Sequence, residues 1–114
     1  MAHLMKGNIG LFISSGKNII ADNVFITKVV SDGNRVGVDK FLTTIDKKGA
    51  NAFGSVITGS SNIKLINVNI SDIGSKANDA VGIMIKSSSN VIQTGTRINR
   101  LVAPGGNIEN IRNN

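Results

Sequence analysis

The feature that most constrains the fold is an internal repeat that occurs three times, each time without a gap. Each copy opens on a glycine and continues through three short apolar runs that are separated by two polar turns. The opening residues are Gly10, Gly54 and Gly82. Agreement at so many positions predicts a repeat architecture in which each copy contacts its neighbours in the chain.

The apolar runs have the composition and alternation of strands. They are built from Ile, Val and Leu, since aromatic residues make up only 4% of the chain. Alternate side chains of a strand point to opposite faces, and stacked parallel strands lie about 4.8 Å apart. The sequence therefore predicts an all-β parallel solenoid of about three coils with a shared aliphatic interior. Equivalent positions are Phe12, Val56 and Met84; Ile13, Ile57 and Ile85; Ile19, Ile63 and Val91; Ile26, Ile70 and Ile98; and Val29, Ile73 and Leu101.

Asparagines recur at the turns and predict amide ladders. In stacked strands, each side-chain amide can bond to the amide of the next strand. The alternative is that asparagine is merely a common turn residue. The predicted ladders are Asn18, Asn62 and Asn90 at the first turn, and Asn23 and Asn67 at the second, where the third copy has Gly95.

The unequal spacing of the copies predicts one long loop. The second copy begins 44 residues after the first, and the third begins 28 after the second. The sixteen additional residues fall in segment 30–53, which is either a binding loop or tolerated surface variation. We predict a leader or N-terminal cap at 1–9, a repeat region at 10–106 with coils starting at 10, 54 and 82, and a tail at 107–114.

Composition narrows the class of partner. The 114 residues suit one domain, cysteine is absent, and the formal charge is +6. This charge indicates either a solvated basic surface or an anionic partner such as a uronic-acid polysaccharide. Nucleic acid is disfavoured because the chain has no Trp or Tyr on which bases could stack. No apolar run approaches membrane-spanning length and no signal peptide is visible, so no membrane contact is predicted.

One stretch of the third copy carries a family resemblance. A glycine-opened strand leads through Ser88-Ser89-Asn90-Val91 and a second strand to a Pro104-Gly-Gly loop. The pattern resembles the right-handed parallel β-helix of the pectate-lyase-like superfamily, which includes pectate lyases, polygalacturonases and phage tailspikes. Thr94-Gly95 replaces the asparagine turn of that family. The resemblance covers residues 10–106 and implies a fold, while the superfamily mixes enzymes with non-enzymatic binders.

The resemblance also implies where catalysis would lie. Pectate lyases hold Ca²⁺ with carboxylates and use an arginine as base, whereas polygalacturonases cluster aspartates. The comparable candidates here are Asp72 and Asp79, with Asn78 standing where polygalacturonases have a paired aspartate. The alternative is that both are ordinary turn residues. No histidine or cysteine set could bind zinc. Asp32 and Asp39, or Asp46, could join them from the insertion if that loop folds over the next coil.

The outer faces and the ends predict self-association. If the Ile columns point inward, Phe12, Val56 and Met84 form an apolar stripe outside, which either is an interface or is covered by the insertion or tail. A short stack also leaves an unpaired strand edge at each end. We therefore expect either a piece of a longer β-helix or a homo-oligomer, with a trimer favoured.

Two functions remain open on these grounds. The first is a structural and binding module of a phage tailspike-like or cell-surface protein, located outside the cell or on a virion, self-associating and in contact with acidic polysaccharide. The second is a polysaccharide lyase or glycoside hydrolase that acts on a uronic-acid polymer through Asp72, Asp79 and the insertion, with Ca²⁺ as a conceivable cofactor.

Overall fold

The computed structural model describes residues 7–31, 51–76 and 78–113, and every regular element within them is a β-strand. Most of the predicted insertion lies outside the described residues. The strands are β1 Gly7–Ser14, β2 Lys17–Asp22, β3 Phe25–Ser31, β4 Asn51–Thr58, β5 Ser61–Ile66, β6 Asn69–Ser75, β7 Ala80–Lys86, β8 Ser89–Thr94, β9 Arg97–Val102 and β10 Ile108–Asn113.

The strands form three parallel sheets that the chain visits in a fixed order. The first sheet has the order β1-β4-β7-β10, the second β2-β5-β8 and the third β3-β6-β9. The first repeat is thus β1 to β3, the second β4 to β6 and the third β7 to β9, after which β10 returns to the first sheet. The prediction of an all-β chain with parallel strands is confirmed.

The pairing register also agrees with the register predicted from the repeat. In the first sheet Ile13 pairs with Ile57, and Ile57 with Ile85. The corresponding columns of the second and third sheets are Ile19, Ile63 and Val91, and Ile26, Ile70 and Ile98. These columns build the main core, where Ile57, Ile63 and Ile70 are fully buried.

The opening glycines lie where the first sheet packs tightly against isoleucines of the third sheet. A Cβ on Gly54 would lie 2.5 Å from Cγ2 of Ile70 and 2.6 Å from the carbonyl oxygen of Gly82. Gly10 and Gly82 meet equivalent contacts. The glycine column is therefore required because no side chain fits between the sheets.

A second apolar cluster lies on the opposite face of the first sheet. Phe53, Val56, Val81 and Met84 are buried there, with Ile9 packed against them. We predicted that Val56 and Met84 would belong to an exposed stripe with Phe12. Of those three, Phe12 alone is exposed, at 52%.

Every repeat bends at the same places through residues with left-handed backbone conformation. Asparagine, glycine and serine occupy most of these places, as expected for positive φ. One of these places is the second predicted asparagine turn, and another, within the strands of the third sheet, carries charged residues. The four sets are Ser15, Gly59 and Ser87; Asn18, Asn62 and Asn90; Asn23, Asn67 and Gly95; and Lys28, Asp72 and Arg100.

The fourth strand of the first sheet lies in the segment for which we predicted only a tail. β10 pairs with β7 in the same register as the other strands, for example Ile111 with Ile83. The first strands also begin ahead of the opening glycines, as β1 does at Gly7 and β4 at Asn51. The repeat is therefore longer at its start than the glycines indicate.

Candidate functional site

The asparagines at the first turn are joined by their side chains. Nδ2 of Asn62 donates to Oδ1 of Asn18 at 3.0 Å, and Nδ2 of Asn90 donates to Oδ1 of Asn62. The φ angles of these three residues lie between 54° and 58°, a region that asparagine tolerates better than most residues. The amides consequently form a directional chain in which every donor faces the preceding repeat.

The asparagines at the second turn are arranged differently. Asn23 and Asn67 stack in left-handed conformation, and the backbone N–H of Asn23 donates to Ile66. No side-chain hydrogen bond joins Asn23 to Asn67, both of which are described. Oδ1 of Asn67 instead lies over Gly95, where a Cβ would come within 2.6 Å of it. Gly95 therefore makes room for the amide of the preceding repeat.

Serines form a further ladder beside the first asparagine turn. The backbone N–H of Gly16 donates to Oγ of Ser60 at 2.9 Å, and that of Ser60 donates to Oγ of Ser88 at 3.0 Å. Each hydroxyl in turn donates to a carbonyl two residues earlier in its own chain segment. We did not predict this ladder, although the Ser-Ser-Asn triplets shared by the second and third copies are its signal.

The first asparagine ladder forms one wall of a groove on the outer face of the second sheet. The groove has a volume of about 340 Å³ and runs across all three strands of that sheet. Its other wall is the column two residues further along, which consists of Ile20, Lys64 and Ile92. The groove thus presents amides opposite an apolar column with one lysine at its centre, and no acidic residue lines it.

Asp72, the first catalytic candidate, is held by an arginine of the next repeat. Its Oδ1 lies 2.8 Å from Nε of Arg100, and its Oδ2 accepts a hydrogen bond from Nη2 at 3.0 Å. This two-point contact is the strong geometry of arginine with carboxylate. Both oxygens of Asp72 are therefore engaged in pairing between β6 and β9.

Asp79, the second candidate, belongs to a different cluster. Its Oδ1 accepts the backbone N–H of Asn107 at 2.9 Å, and its Oδ2 lies 2.8 Å from Nη2 of Arg112. The same nitrogen lies 2.7 Å from Oε2 of Glu109. The structure thus brings Asp79 together with Glu109 and Arg112, and it ties the loop before β7 to β10.

The electrostatics of this cluster favour its charged form. The hydrogen bond from Arg112 lowers the pKa of Glu109 below its ordinary value of 4.5. Glu109 in turn raises the pKa of Arg112, and Asp79 contributes in the same direction. A carboxyl group with a lowered pKa does not hold a proton near neutral pH, so Glu109 is poorly suited to act as a general acid.

The candidates do not assemble into a metal site in the part of the chain that is described. No group of three or more His, Cys, Asp or Glu side chains occurs there. The carboxylates expected to join from the insertion, Asp32, Asp39 and Asp46, lie outside the described residues. No helix capable of crossing a membrane is found among residues 7–31, 51–76 and 78–113.

Two ion pairs were missed by sequence reasoning because their signal is weak. Arg100 and Asp72 occupy equivalent places of neighbouring repeats, so a search for opposite charges at equal offsets would have found them. Arg112 and Asp79 are 33 residues apart and belong to different places of the repeat. Only the pairing of β10 brings them together.

Comparison with known proteins adds no family assignment. No protein-family model, no curated protein and no solved structure matches this chain.

Proposed function

We propose that the chain is a right-handed parallel β-helix that serves as a structural and binding module, and that its outer groove contacts acidic polysaccharide. The observation that carries the proposal is the groove across the second sheet. It combines an amide ladder, two exposed isoleucines and the central Lys64, whereas the candidate catalytic carboxylates are tied to arginines. The fixed path through three parallel sheets supports the β-helix as its scaffold.

The lining of the groove favours an extended anionic ligand. Lys64 is exposed and supplies the one formal charge of the lining, so an acidic group is its natural partner. The isoleucines on either side of it offer apolar surface to the C–H faces of sugar rings. Each amide of the ladder uses one N–H at most for its neighbour, so a second N–H remains for a ligand hydroxyl or carboxylate.

A second copy of the chain suits this groove less well. In a symmetric dimer made through the same face, equivalent residues lie near the symmetry axis. Lys64 is central, so two lysines would be brought together without an acidic group of the lining to separate them. The proposed ligand of the groove is therefore a polyanion.

The alternative function is a polysaccharide lyase or glycoside hydrolase acting on a uronic-acid polymer. Its best site would be Asp79 and Glu109, which are neighbours because both contact Nη2 of Arg112. A glycoside hydrolase needs one carboxyl group that keeps its proton, and the lowered pKa of Glu109 disfavours this role. A lyase would need carboxylates free to hold Ca²⁺, whereas Asp79 and Glu109 are both paired with Arg112. Ca²⁺-dependent release of products from polygalacturonate, abolished in Asp79→Asn, would establish the enzyme and overturn the module.

The binding experiment uses isothermal titration calorimetry with a polygalacturonate oligomer. We expect Lys64→Ala to weaken binding about tenfold, since a charge-assisted contact is lost. The matched control is Lys76→Ala, which removes the same charge from an exposed lysine that follows β6 in the third sheet. The fully methyl-esterified oligomer should bind weakly to all three proteins. Equal affinities of wild type and Lys64→Ala would exclude the groove.

The setting of the module follows from the proposed ligand. We place the chain in a phage tailspike-like or cell-surface protein, outside the cell or on a virion, as a piece of a longer β-helix or as a homo-oligomer. We predicted a trimer that would bury an apolar stripe of Phe12, Val56 and Met84. Burial of Val56 and Met84 within the chain leaves Phe12 as the exposed part of that stripe, so the ends of the stack offer the better surface for self-association.

A further inference from the structure

β10 occupies a place on β7 for which another strand of the same chain is better suited. In four of the six columns that β1 and β10 share, β10 has a charged or polar residue where β1 has an apolar residue or glycine; Ile111 matches Leu11, and Ile108 stands where β1 has Asn8. On the outer face these columns continue the buried cluster that contains Val81 and Met84. The corresponding residues are Ile9 and Glu109, Gly10 and Asn110, Phe12 and Arg112, and Ile13 and Asn113.

The polar groups at the two ends of the stack are complementary. Oδ1 of Asn62 accepts from Asn90, whereas Oδ1 of Asn90 accepts from no described residue. At the other end, Nδ2 of Asn18 donates to no described residue. The backbone is complementary in a similar way: the N–H of Ser15 donates to Thr58 and that of Gly59 donates to Lys86, so the following N–H of the series, that of Ser87, lies on the third repeat. Each end presents the partner that the other end lacks.

The exposed apolar residues at the two ends are also in register. Ile20 and Val30 are 62% and 51% exposed on the first repeat, and Ile92 and Val102 are 45% and 58% exposed on the third. Ile20 and Ile92 belong to one column, with Lys64 between them. Val30 and Val102 belong to another. A second copy placed on the third repeat would cover isoleucine with isoleucine and valine with valine.

Two further pairs of residues would meet if a second copy were placed on the third repeat; one pair favours the contact and the other opposes it. Phe25, which is 77% exposed, would lie over Arg97 of the neighbouring copy and could form a cation–π contact. Lys28 would face Arg100, which is a repulsive pair. Arg100 is already paired with Asp72, and this reduces the repulsion.

We propose that copies of this chain stack head to tail, with β1 to β3 of one copy on β7 to β9 of the next, and that β10 blocks this contact by holding the place of the incoming β1. This inference rests on the self-association proposed above. It adds which strands form the contact and which strand prevents it. Because the two surfaces differ, the contact is heterologous, and because each copy continues the parallel stack by translation, it gives an open chain of molecules. Stacking also extends the amide ladder and the groove from copy to copy.

β10 is held on β7 by parallel backbone pairing and by the side-chain contacts of Arg112. Arg112 joins β10 to Asp79 in the loop before β7, and Asn107 adds a backbone hydrogen bond to the same carboxylate. Apart from these groups and its backbone pairing with β7, β10 offers Ile108 and Ile111, which remain 54% and 41% exposed. Substitution of Arg112 should therefore release β10 while the three repeats stay folded.

The experiment uses the full chain with cysteines at Ile20→Cys and Ile92→Cys, since the natural sequence has none. Within one molecule these positions are two strands apart, about 9.6 Å, which is too far for a disulfide. In a head-to-tail contact they are one strand apart, about 4.8 Å, which permits one. Adding Arg112→Asp places a carboxylate beside Asp79 and Glu109 and should release β10. We expect a ladder of disulfide-linked multimers on oxidation in that background and monomer in the parent.

Two further variants keep the test decisive. Lys76→Asp changes charge equally without contacting β10 and should leave the protein monomeric. Phe12→Asp, added to the Arg112→Asp protein, should abolish the ladder because β1 can then no longer pack on Val81 and Met84 of its neighbour. If Arg112→Asp lowers the circular dichroism signal, Glu109→Lys with Asp79 intact is the second way to disturb the same cluster.

The outcomes separate this inference from the proposed function. Absence of multimers in folded Arg112→Asp protein, or the same multimers with and without that substitution, would overturn the blocking role of β10. A closed oligomer that is unaffected by these variants in sedimentation velocity would overturn head-to-tail stacking and leave self-association standing. Monomers under every condition would overturn both the head-to-tail stacking and the proposed self-association.

Discussion

The second repeat and the first repeat carry the same residue types in the same places but bury them differently. Ile63 of the second repeat is fully buried, whereas its partner Ile19 is 38% exposed. On the outer face of the first sheet, Val56 is 1% exposed and Phe12 is 52% exposed. Burial in this chain is therefore set by the presence of a repeat on both sides, as expected when each repeat completes the core of its neighbours.

The largest test of this comparison is alanine at the same column in both repeats. Ile63→Ala should lower the free energy of unfolding by about 4 kcal/mol, because a fully buried side chain leaves a cavity. Ile19→Ala should lower it by about 1 kcal/mol, since part of that side chain is already in water. Urea denaturation of both variants measures the difference. Similar losses would contradict the view that the first repeat is an open end.

The next test addresses the glycine column. Gly54→Ala should lower the free energy of unfolding by about 3 kcal/mol, because its Cβ would lie 2.5 Å from Ile70 and 2.6 Å from a backbone carbonyl. The matched control is Gly74→Ala in β6, whose Cβ would meet Val102 O at 3.7 Å, an ordinary contact. We expect less than about 1 kcal/mol there. Comparable melting temperatures for the two variants would show that the sheets can move apart.

These columns show how much of the fold was accessible from the sequence. The strand period and the repeat together predicted parallel pairing, and they predicted the register of Ile13, Ile57 and Ile85 residue by residue. This succeeded because translation along a stack keeps identical residues in contact, so that one correct alignment of the copies predicts many contacts.

The features that sequence reasoning missed are those that break the repeat. β10 has Asn110 at the glycine place and Arg112 at an apolar place, so it did not align as a fourth copy. The outer cluster was missed because alternation shows which face a residue points to, but not what covers that face. Likewise, the spacing of Asp79 could not reveal Arg112 as its partner.

A smaller effect is expected where the core carries a hydroxyl group without a partner. Oγ1 of Thr96 and Oγ of Ser55 are buried and make no hydrogen bond. Thr96 occupies the column of Val24 and Val68, so Thr96→Val restores the residue type of the other two repeats. We expect it to raise the free energy of unfolding by about 1 kcal/mol, since a desolvated hydroxyl is replaced by a methyl group of similar size.

Ser55→Ala tests the same effect in the middle repeat. Its neighbours in the column are Leu11 and Ile83, so the hydroxyl lies in an apolar interior. Thermal unfolding of both variants measures the gain, which should be about 0.5 kcal/mol for Ser55→Ala because no methyl group is added. A loss of stability in either variant would mean that the hydroxyl is hydrogen-bonded in solution.

The smallest effect concerns β10, the strand that covers the first-sheet strand of the third repeat. The pKa of Glu109 is lowered in the folded chain, chiefly by its hydrogen bond with Arg112. A lowered pKa contributes stability above the ordinary value of 4.5, and that stability is lost as pH falls through the folded value. Because the pair is only partly buried, with Glu109 still 36% exposed, solvent screens it and we expect the contribution to be below about 1 kcal/mol.

Glu109→Gln isolates this contribution from those of the other carboxylates. At pH 7 the variant should be slightly less stable than the wild type, and the difference should shrink towards zero as the pH is lowered to about 3. Hydrogen exchange of the β10 amides is the suitable measurement, because release of one edge strand precedes global unfolding. If protection of β10 were the same in both proteins at pH 7, Asp79 alone would hold Arg112, and the blocking strand would depend on the loop before β7 and not on its own glutamate.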